Sequence, residues 1–398
     1  MIRSKFIGGI LLIVGTSIGG GMLALPMATA SGGFLHSLLL FVAVWLVTVV
    51  AAFFILEVNL SLPNNTNLVS MAKRTLGPLG QVVTWVFYLL LLYALLCAYT
   101  AGGSDLVQSL LQGVGLSVSS ALSSFIFLVI LGSIVFNGIR VVDFTNRGLM
   151  FAKLSLYFLL VLLISPHVNT PYLKGGSYTM LFSAVFVVVT SFGYAIIIPS
   201  LRTYFHSDVK KLRWVLGVGS LVPLICYVLW DAAVQGSLPV GGPEGLEHIA
   251  SSAHAVSKMT SLLSVTAHNH WVGKMTHLFS YVCIATSFLG VSLCLTDFLA
   301  DGFQMRKQGG SRWFIMACTF VPPWLIVVLY PHAFITALSY AGLFCVILLL
   351  LLPGLMVWYG RYKTKTITGY RFFGGKFVVI IEIFISVLLI IFGIKQLF

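Results

Sequence analysis

Ile18-Gly-Gly-Gly-Met-Leu-Ala-Leu-Pro26 lies in the first apolar segment of the chain, and Ser191-Phe-Gly-Tyr-Ala-Ile-Ile-Ile-Pro199 lies much later. Superposing Pro26 on Pro199 brings Gly20 onto Gly193, with three apolar residues ahead of each proline. Both stretches fall within runs apolar enough to cross a bilayer, and both carry glycine where a helix needs its strongest formers. In lipid, an unwound backbone survives only where protein or a water-filled cavity satisfies its polar groups. Two interrupted helices at matching positions of two halves therefore point to a substrate site near the bilayer midplane, the arrangement of a secondary transporter.

The surrounding composition agrees. Hydrophobic residues make up 59% of the chain and charged ones 8%, with a mean hydropathy of +1.03. Soluble domains carry roughly 25% charge, so this is a polytopic membrane protein. Runs of about 20 apolar residues predict eleven spans near 5–30, 34–60, 82–111, 121–138, 149–166, 179–200, 214–236, 277–300, 313–331, 333–358 and 375–397. Only Pro331-His332 divides the ninth from the tenth. The first span is too long for a signal peptide and has no small-residue cleavage site after its apolar core, so it reads as a retained helix. No stretch suits a soluble catalytic domain, and neither a GxxxxGK[ST] loop nor an HExxH helix is present.

The net charge of +13 is a topology signal rather than a nucleic-acid footprint. With the amino terminus in the cytoplasm, all Lys and Arg except Lys174, Lys258, Lys274 and Lys395 fall on the cytoplasmic side. Eleven spans then leave the carboxyl terminus outside. The six cysteines all fall within predicted spans and show no metal-ligand spacing, so they read as small apolar filler. Residues 1–170 form a first five-span half, 171–360 a second half of opposite orientation, and 361–398 a peripheral eleventh span. The long outer connection 236–276 is either a lid over the site or a passive connector. The basic segment Arg202–Arg213 reads as a topogenic loop, with help in closing an inner gate as the alternative.

Unwound glycine stretches suit a free amino acid. Amide groups at Gly19, Gly20 and Gly21, with a half-helix dipole behind them, can hold a carboxylate. Carbonyls at Ser191, Phe192 and Gly193 can accept from an ammonium. The alternative is that the glycines merely allow close helix packing. Ionisable residues within spans are costly and are functional candidates. Lys153 can occupy the place of a coupling cation, or can snorkel to the nearby cytoplasmic edge. Glu57 is a proton carrier or the partner of a basic loop residue. Asp105, Asp231, Asp297 and Asp301 read as interfacial, and Glu382 has no partner that can be named from sequence. Tyr93 or Tyr99 can line an aromatic pocket, and Thr286 and Ser287 can serve a cation site. Among the outer histidines only His268-Asn-His270 has a metal-like spacing. It lacks a third ligand, so no metal site is assigned.

Gly15-Thr-Ser-Ile-Gly-Gly-Gly-Met-Leu-Ala-Leu-Pro26 resembles the first-helix signature of the hydroxy and aromatic amino acid permeases, and Thr190-Ser-Phe-Gly-Tyr through Ile-Pro-Ser-Leu201 resembles their sixth-span signature. Ala285-Thr-Ser-Phe-Leu-Gly-Val-Ser-Leu293 followed by Asp297-Phe-Leu-Ala-Asp301 is similar to their eighth-span motif, and Leu56-Glu-Val-Asn-Leu60 to their second. The resemblance spans nearly the whole chain. It implies an all-α, LeuT-like 5+5 inverted repeat with discontinuous helices 1 and 6, eleven spans, and proton-driven uptake of an aromatic amino acid across a bacterial inner membrane. Tyrosine is the implied substrate, with tryptophan or phenylalanine as alternatives. No cofactor is implied; the proton is the expected coupling ion and sodium stays open. Thr16, Ser17 and Tyr194 lie in the same motifs and join the expected substrate-binding set. A monomer is expected, and an enzyme, a sensor and a channel are the rival classes.

Overall fold

The computed structural model describes residues 2–64, 66–267, 270–305 and 307–397, without the side chains of 2–4, 180, 270 and 397. His268 and Arg306, which entered the metal and charge readings above, lie outside the described residues.

The first apolar segment is broken where its glycines are. Helix α1 (Ile2–Ser17) and helix α2 (Gly20–Thr29) meet at 55°, with Gly19 extended between them. Four longer helices follow: α3 (Phe34–Leu60), α4 (Leu68–Gly113), α5 (Ser120–Phe136) and α6 (Ile139–Ile164). The second glycine stretch again interrupts a helix. Helix α7 (Val185–Ser191) passes through a 3-10 segment, Gly193–Ile197, into α8 (Ile198–Tyr204). Next come α9 (Val209–Ser237), the short α10 (Leu246–Ala250) and α11 (Ala255–Thr266), α12 (His270–Gly302) and α13 (Gly309–Leu329). The chain closes with α14 (Ala333–Cys345), a π-helical turn at Val346–Leu351, α15 (Leu352–Trp358) and α16 (Gly375–Leu397).

Local chemistry sets several starts. Asn67 caps α4 by accepting from Ser70 N at 2.9 Å, Ser119 caps α5, and Asp208 caps α9. Among the described residues nine helices are long and apolar enough to cross a membrane; α1 and α2 together make a tenth, and α5 is a shorter apolar helix. Large apolar side chains such as Leu39, Phe144, Phe151 and Phe377 are exposed. That surface suits lipid, where exposed hydrocarbon costs nothing.

Two ends of the bundle are defined by contacts. The near face, where the chain begins, gathers Gly8 against Tyr204, Ser61 against Thr368, and Arg202 against the end of α3. The far face joins Ser31 to Ser177 and Asn169 to Gly236. Close approach needs glycine at Gly342, where a Cβ would stand 1.9 Å from the Phe186 carbonyl, and at Gly33, whose φ of 73° is left-handed. The long outer connection is partly folded rather than a plain loop. Its α10 and α11 lie on the far face, where Leu246, Ile249 and Leu263 are buried. Asp105 on α4 is correspondingly not interfacial but buried, accepting from Ser257 N at 2.9 Å, from Ser257 Oγ and from His254 Nδ1.

Candidate functional site

Where α1 stops, its last carbonyls lose their amide partners. Met22 N turns back to Gly19 O at 3.1 Å, which leaves Ile18 O without a helical donor. Lys153 of α6 supplies it: the ammonium donates to Ile18 O at 2.5 Å, with Thr286 Oγ1 at 3.3 Å and Gly15 O at 3.5 Å. Lys153 is 1% exposed, so it is not a snorkelling side chain. A cation at a helix C-terminus is stabilised by the helix dipole, by up to about 2 kcal/mol where partly buried. Beside it, Ser287 Oγ accepts from Gly20 N, the first amide of α2, at 3.0 Å. Thr286 and Ser287 of α12 thus tie both sides of the first break.

The second break meets the first. A Cβ on Gly21 would lie 3.0 Å from Ser191 Oγ. Behind both, the buried Tyr227 of α9 places its hydroxyl 2.7 Å from Ser17 O and 2.7 Å from Ser191 O. Phe192 packs edge-on against the Tyr227 ring.

A cavity of about 500 Å³ opens from this junction toward the near face. That volume lies within the roughly 300–1,000 Å³ usual for small-molecule sites. Its wall includes Thr16, Tyr88, Tyr99, Lys153, Thr190, Gly193, Thr286 and Ser287, with Leu91, Leu92 and Leu95 supplying apolar surface. Large apolar wall area with a few polar groups fits a ligand that has one charged end and one ring.

Several sequence-predicted residues take different places. Tyr93 is not a wall residue, because its hydroxyl donates to Cys318 O at 2.7 Å, on the α13 side of α4. Tyr99 lines the cavity instead and covers Gly20, where a Cβ would meet its ring at 2.7 Å. The spacing of Tyr88, Leu91, Leu92, Leu95 and Tyr99 is one helical stripe, and that signal excludes Tyr93. Gly19, Gly20 and Gly21 stand behind Tyr99 and Ser287 rather than on the wall. Ser17, Ser191, Phe192 and Tyr194 are buried next to the site.

Glu57 is buried and paired. Arg361 grips it in a bidentate pair, both contacts at 2.5 Å, and Phe372 N donates to it at 2.7 Å. Of the two readings of Glu57, these contacts fit the pairing with a basic residue. Asp231, read as interfacial, is fully buried.

The chain and its fold have known counterparts. The sequence profile of the tryptophan/tyrosine permease family matches residues 2–393. The chain belongs to that family. It is a multi-pass membrane permease of the aromatic amino acid type, not an enzyme. The permease is 32% identical to the tyrosine-specific transport system 2 of Haemophilus influenzae, over 98% of its own length and 96% of that protein's. It is 30% identical to the tryptophan-specific transport protein of the same organism, over 98% and 96% of the two lengths. Its fold matches that of MhsT, solved in complex with L-phenylalanine, with a TM-score of 0.67 at 14% identity over 98% of each chain. The permease therefore has the LeuT-like transporter fold.

Proposed function

We propose that the permease is a proton-coupled symporter that imports an aromatic amino acid, tyrosine foremost, by alternating access. The observation that carries this reading is the buried Lys153 ammonium, held against the freed Ile18 carbonyl on the wall of the cavity. An ammonium there does the work of a bound metal cation. Loss of its proton removes the charge that holds the end of α1, so binding and release of a proton can bias how α1 sits. The aromatic ring lies along Tyr88, Leu92 and Tyr99, and the α-carboxylate faces the amino end of α2 once Tyr99 turns aside.

Around this core we infer eleven spans, with α5 as the fourth, discontinuous helices 1 and 6, and two inverted halves. The amino terminus is cytoplasmic and the carboxyl terminus periplasmic in a bacterial inner membrane, and the permease works as a monomer. In that orientation the cavity opens to the cytoplasm. Tryptophan is the second reading of the substrate, supported by the likeness to the Haemophilus influenzae tryptophan-specific protein.

Uptake of labelled tyrosine into proteoliposomes, under an imposed inward proton gradient without sodium, tests the proposal. Wild-type protein should accumulate tyrosine, and Lys153→Ala should lose at least about tenfold of that accumulation, within the usual range of coupling effects, while still binding tyrosine. Accumulation that needs sodium would sink the proton reading. Accumulation of tryptophan but not tyrosine would sink the substrate choice alone.

A further inference from the structure

At the far face, Asp231 of α9 is fully buried, and its partners are a hydroxyl and an amide. Thr29 Oγ1, near the end of α2, lies 3.1 Å from Asp231 Oδ1, and Gln235 Nε2 donates to Oδ2 at 2.9 Å. Gln235 Nε2 also lies 3.0 Å from Thr29 Oγ1 and 3.5 Å from Ser37 Oγ at the start of α3. Among the described residues, no Lys, Arg or His nitrogen pairs with this carboxylate. The titratable groups on elements packed around α9 are engaged or set elsewhere. His36 on α3 faces Gly32 O at 2.8 Å, Tyr157 on α6 donates to Cys226 O, and Lys153 holds Ile18. His167 and Tyr172 lie in the turns before α7, Lys258 lies on α11, and α2 contributes no ionisable side chain.

Counting protons decides the state of this cluster. Thr29 has one hydroxyl hydrogen and three neighbours, since Leu25 O lies 2.8 Å away as well. With a proton on Asp231, the acid donates to Thr29, Thr29 donates to Leu25 O, and Gln235 donates to the other carboxyl oxygen. Each contact of Asp231 is then satisfied, while among the described residues Gln235 Oε1 stays without a hydrogen-bond partner. Without that proton, Thr29 must abandon Leu25 O, and a buried negative charge is left with neutral donors alone, which is costly.

The two halves sharpen the contrast. The offset that superposes Pro26 on Pro199 carries Glu57 to position 230, beside Asp231, and carries Thr29 onto Arg202. One carboxylate of this related pair is fixed by a guanidinium, while the other is closed in without a cation.

We propose that Asp231 is a second proton-binding site that gates the far face, loading its proton from outside and keeping it while α2 closes on α9 through Thr29 and Gln235. The inference rests on the symport reading above. Asp231 charges only when α2 and α9 part and water reaches it, so its proton is taken from and returned to the outside: the site sets how readily the far face opens and moves no net proton across the membrane. Asp231→Asn keeps the closed arrangement, because its amide can donate where the acid did, but it cannot cycle a proton.

The experiment compares two modes in proteoliposomes: counterflow exchange of labelled tyrosine or tryptophan with the outside pH varied at constant inside pH, and accumulation driven by a proton gradient. Wild-type exchange should slow as the outside pH falls, and Asp231→Asn should keep exchanging but lose most of that dependence. Exchange by Asp231→Asn that follows the outside pH as wild type does would overturn the inference. Loss of both modes turns the decision to Asp231→Glu. Recovery of both by glutamate supports a titrating carboxyl, and continued inactivity makes Asp231 a folding residue and overturns the proposal. Wild-type protein that exchanges but never accumulates on the gradient would instead refute proton symport itself.

Discussion

The near and far ends of this permease solve the same problem with opposite chemistry. Each buries a carboxylate on a long helix beside a short one, Glu57 on α3 near Arg202 of α8 and Asp231 on α9 near Thr29 of α2. At the near end Glu57 is locked to Arg361, 2% exposed, and its neighbour Arg202 donates to the carbonyls of Asn59 and Leu62 at the end of α3. At the far end, among the described residues, Asp231 meets hydroxyl and amide groups alone. A carboxylate gripped by a guanidinium has its charge matched in place, whereas a carboxyl among neutral donors has no opposite charge beside it. The near end is therefore built for permanence, and the far end responds to protons.

The sharpest way to break this comparison is Arg361→Met. It leaves Glu57 buried with its charge uncompensated, and the loss of one partner of such a pair costs about 3–5 kcal/mol. A large drop in thermal stability in detergent is expected, and the double variant with Glu57→Gln should recover most of it. A mild single-variant effect would mean that Glu57 is not a fixed charge. Arg202→Gln comes next, at about 2 kcal/mol, the scale of a lost charged hydrogen bond. Its thermal shift should be smaller than that of Arg361→Met, with the carbonyls at the end of α3 reaching water instead. Asp231→Asn should change stability by less than about 1 kcal/mol, because it replaces a neutral acid by a neutral amide of similar shape. A stability loss rivalling that of Arg361→Met would show the far end to be as structural as the near one.

The smallest expected effect concerns the outer segment. His254 Nδ1 donates to Asp105, and the hydrogen bond to that carboxylate raises its pKa above the usual histidine value. Its charged form therefore holds the start of α11 fully at pH below the ordinary histidine range, and this help is lost as pH rises through the raised value. Amide protection factors over 255–266, corrected for the intrinsic rise of exchange with pH, should fall modestly between mildly acidic and mildly alkaline pH, and His254→Ala should remove that fall. The two amide and hydroxyl contacts from Ser257 keep the segment in place throughout.

Much of the site was legible before any coordinates. Glycine in two apolar runs, each followed at the same distance by proline, located both breaks, and a lysine within a span was costly enough to demand a partner. Lys153 and Thr286 lie together at the first break. What stayed hidden depended on contacts between distant parts of the chain. Arg361 looked like one more basic loop residue, and nothing near Glu57 in sequence announced it. Asp231 seemed to lie at the membrane edge because the turns before α7 and the helices after α9, which bury the far face, read as loops. Tyr93 and Tyr99 are the same residue type six positions apart, and only the stripe begun by Tyr88 separates the cavity wall from the packing face. Tyr227 carried no signal at all, since an aromatic residue in an apolar helix is ordinary.

That last residue has a mechanical consequence. A phenol owns one hydrogen, yet the Tyr227 hydroxyl stands at bonding distance from Ser17 O and Ser191 O alike. Like a pin threaded through both leaves of a hinge, it lets one leaf go while keeping hold of the other, so the joint can swing without ever coming apart.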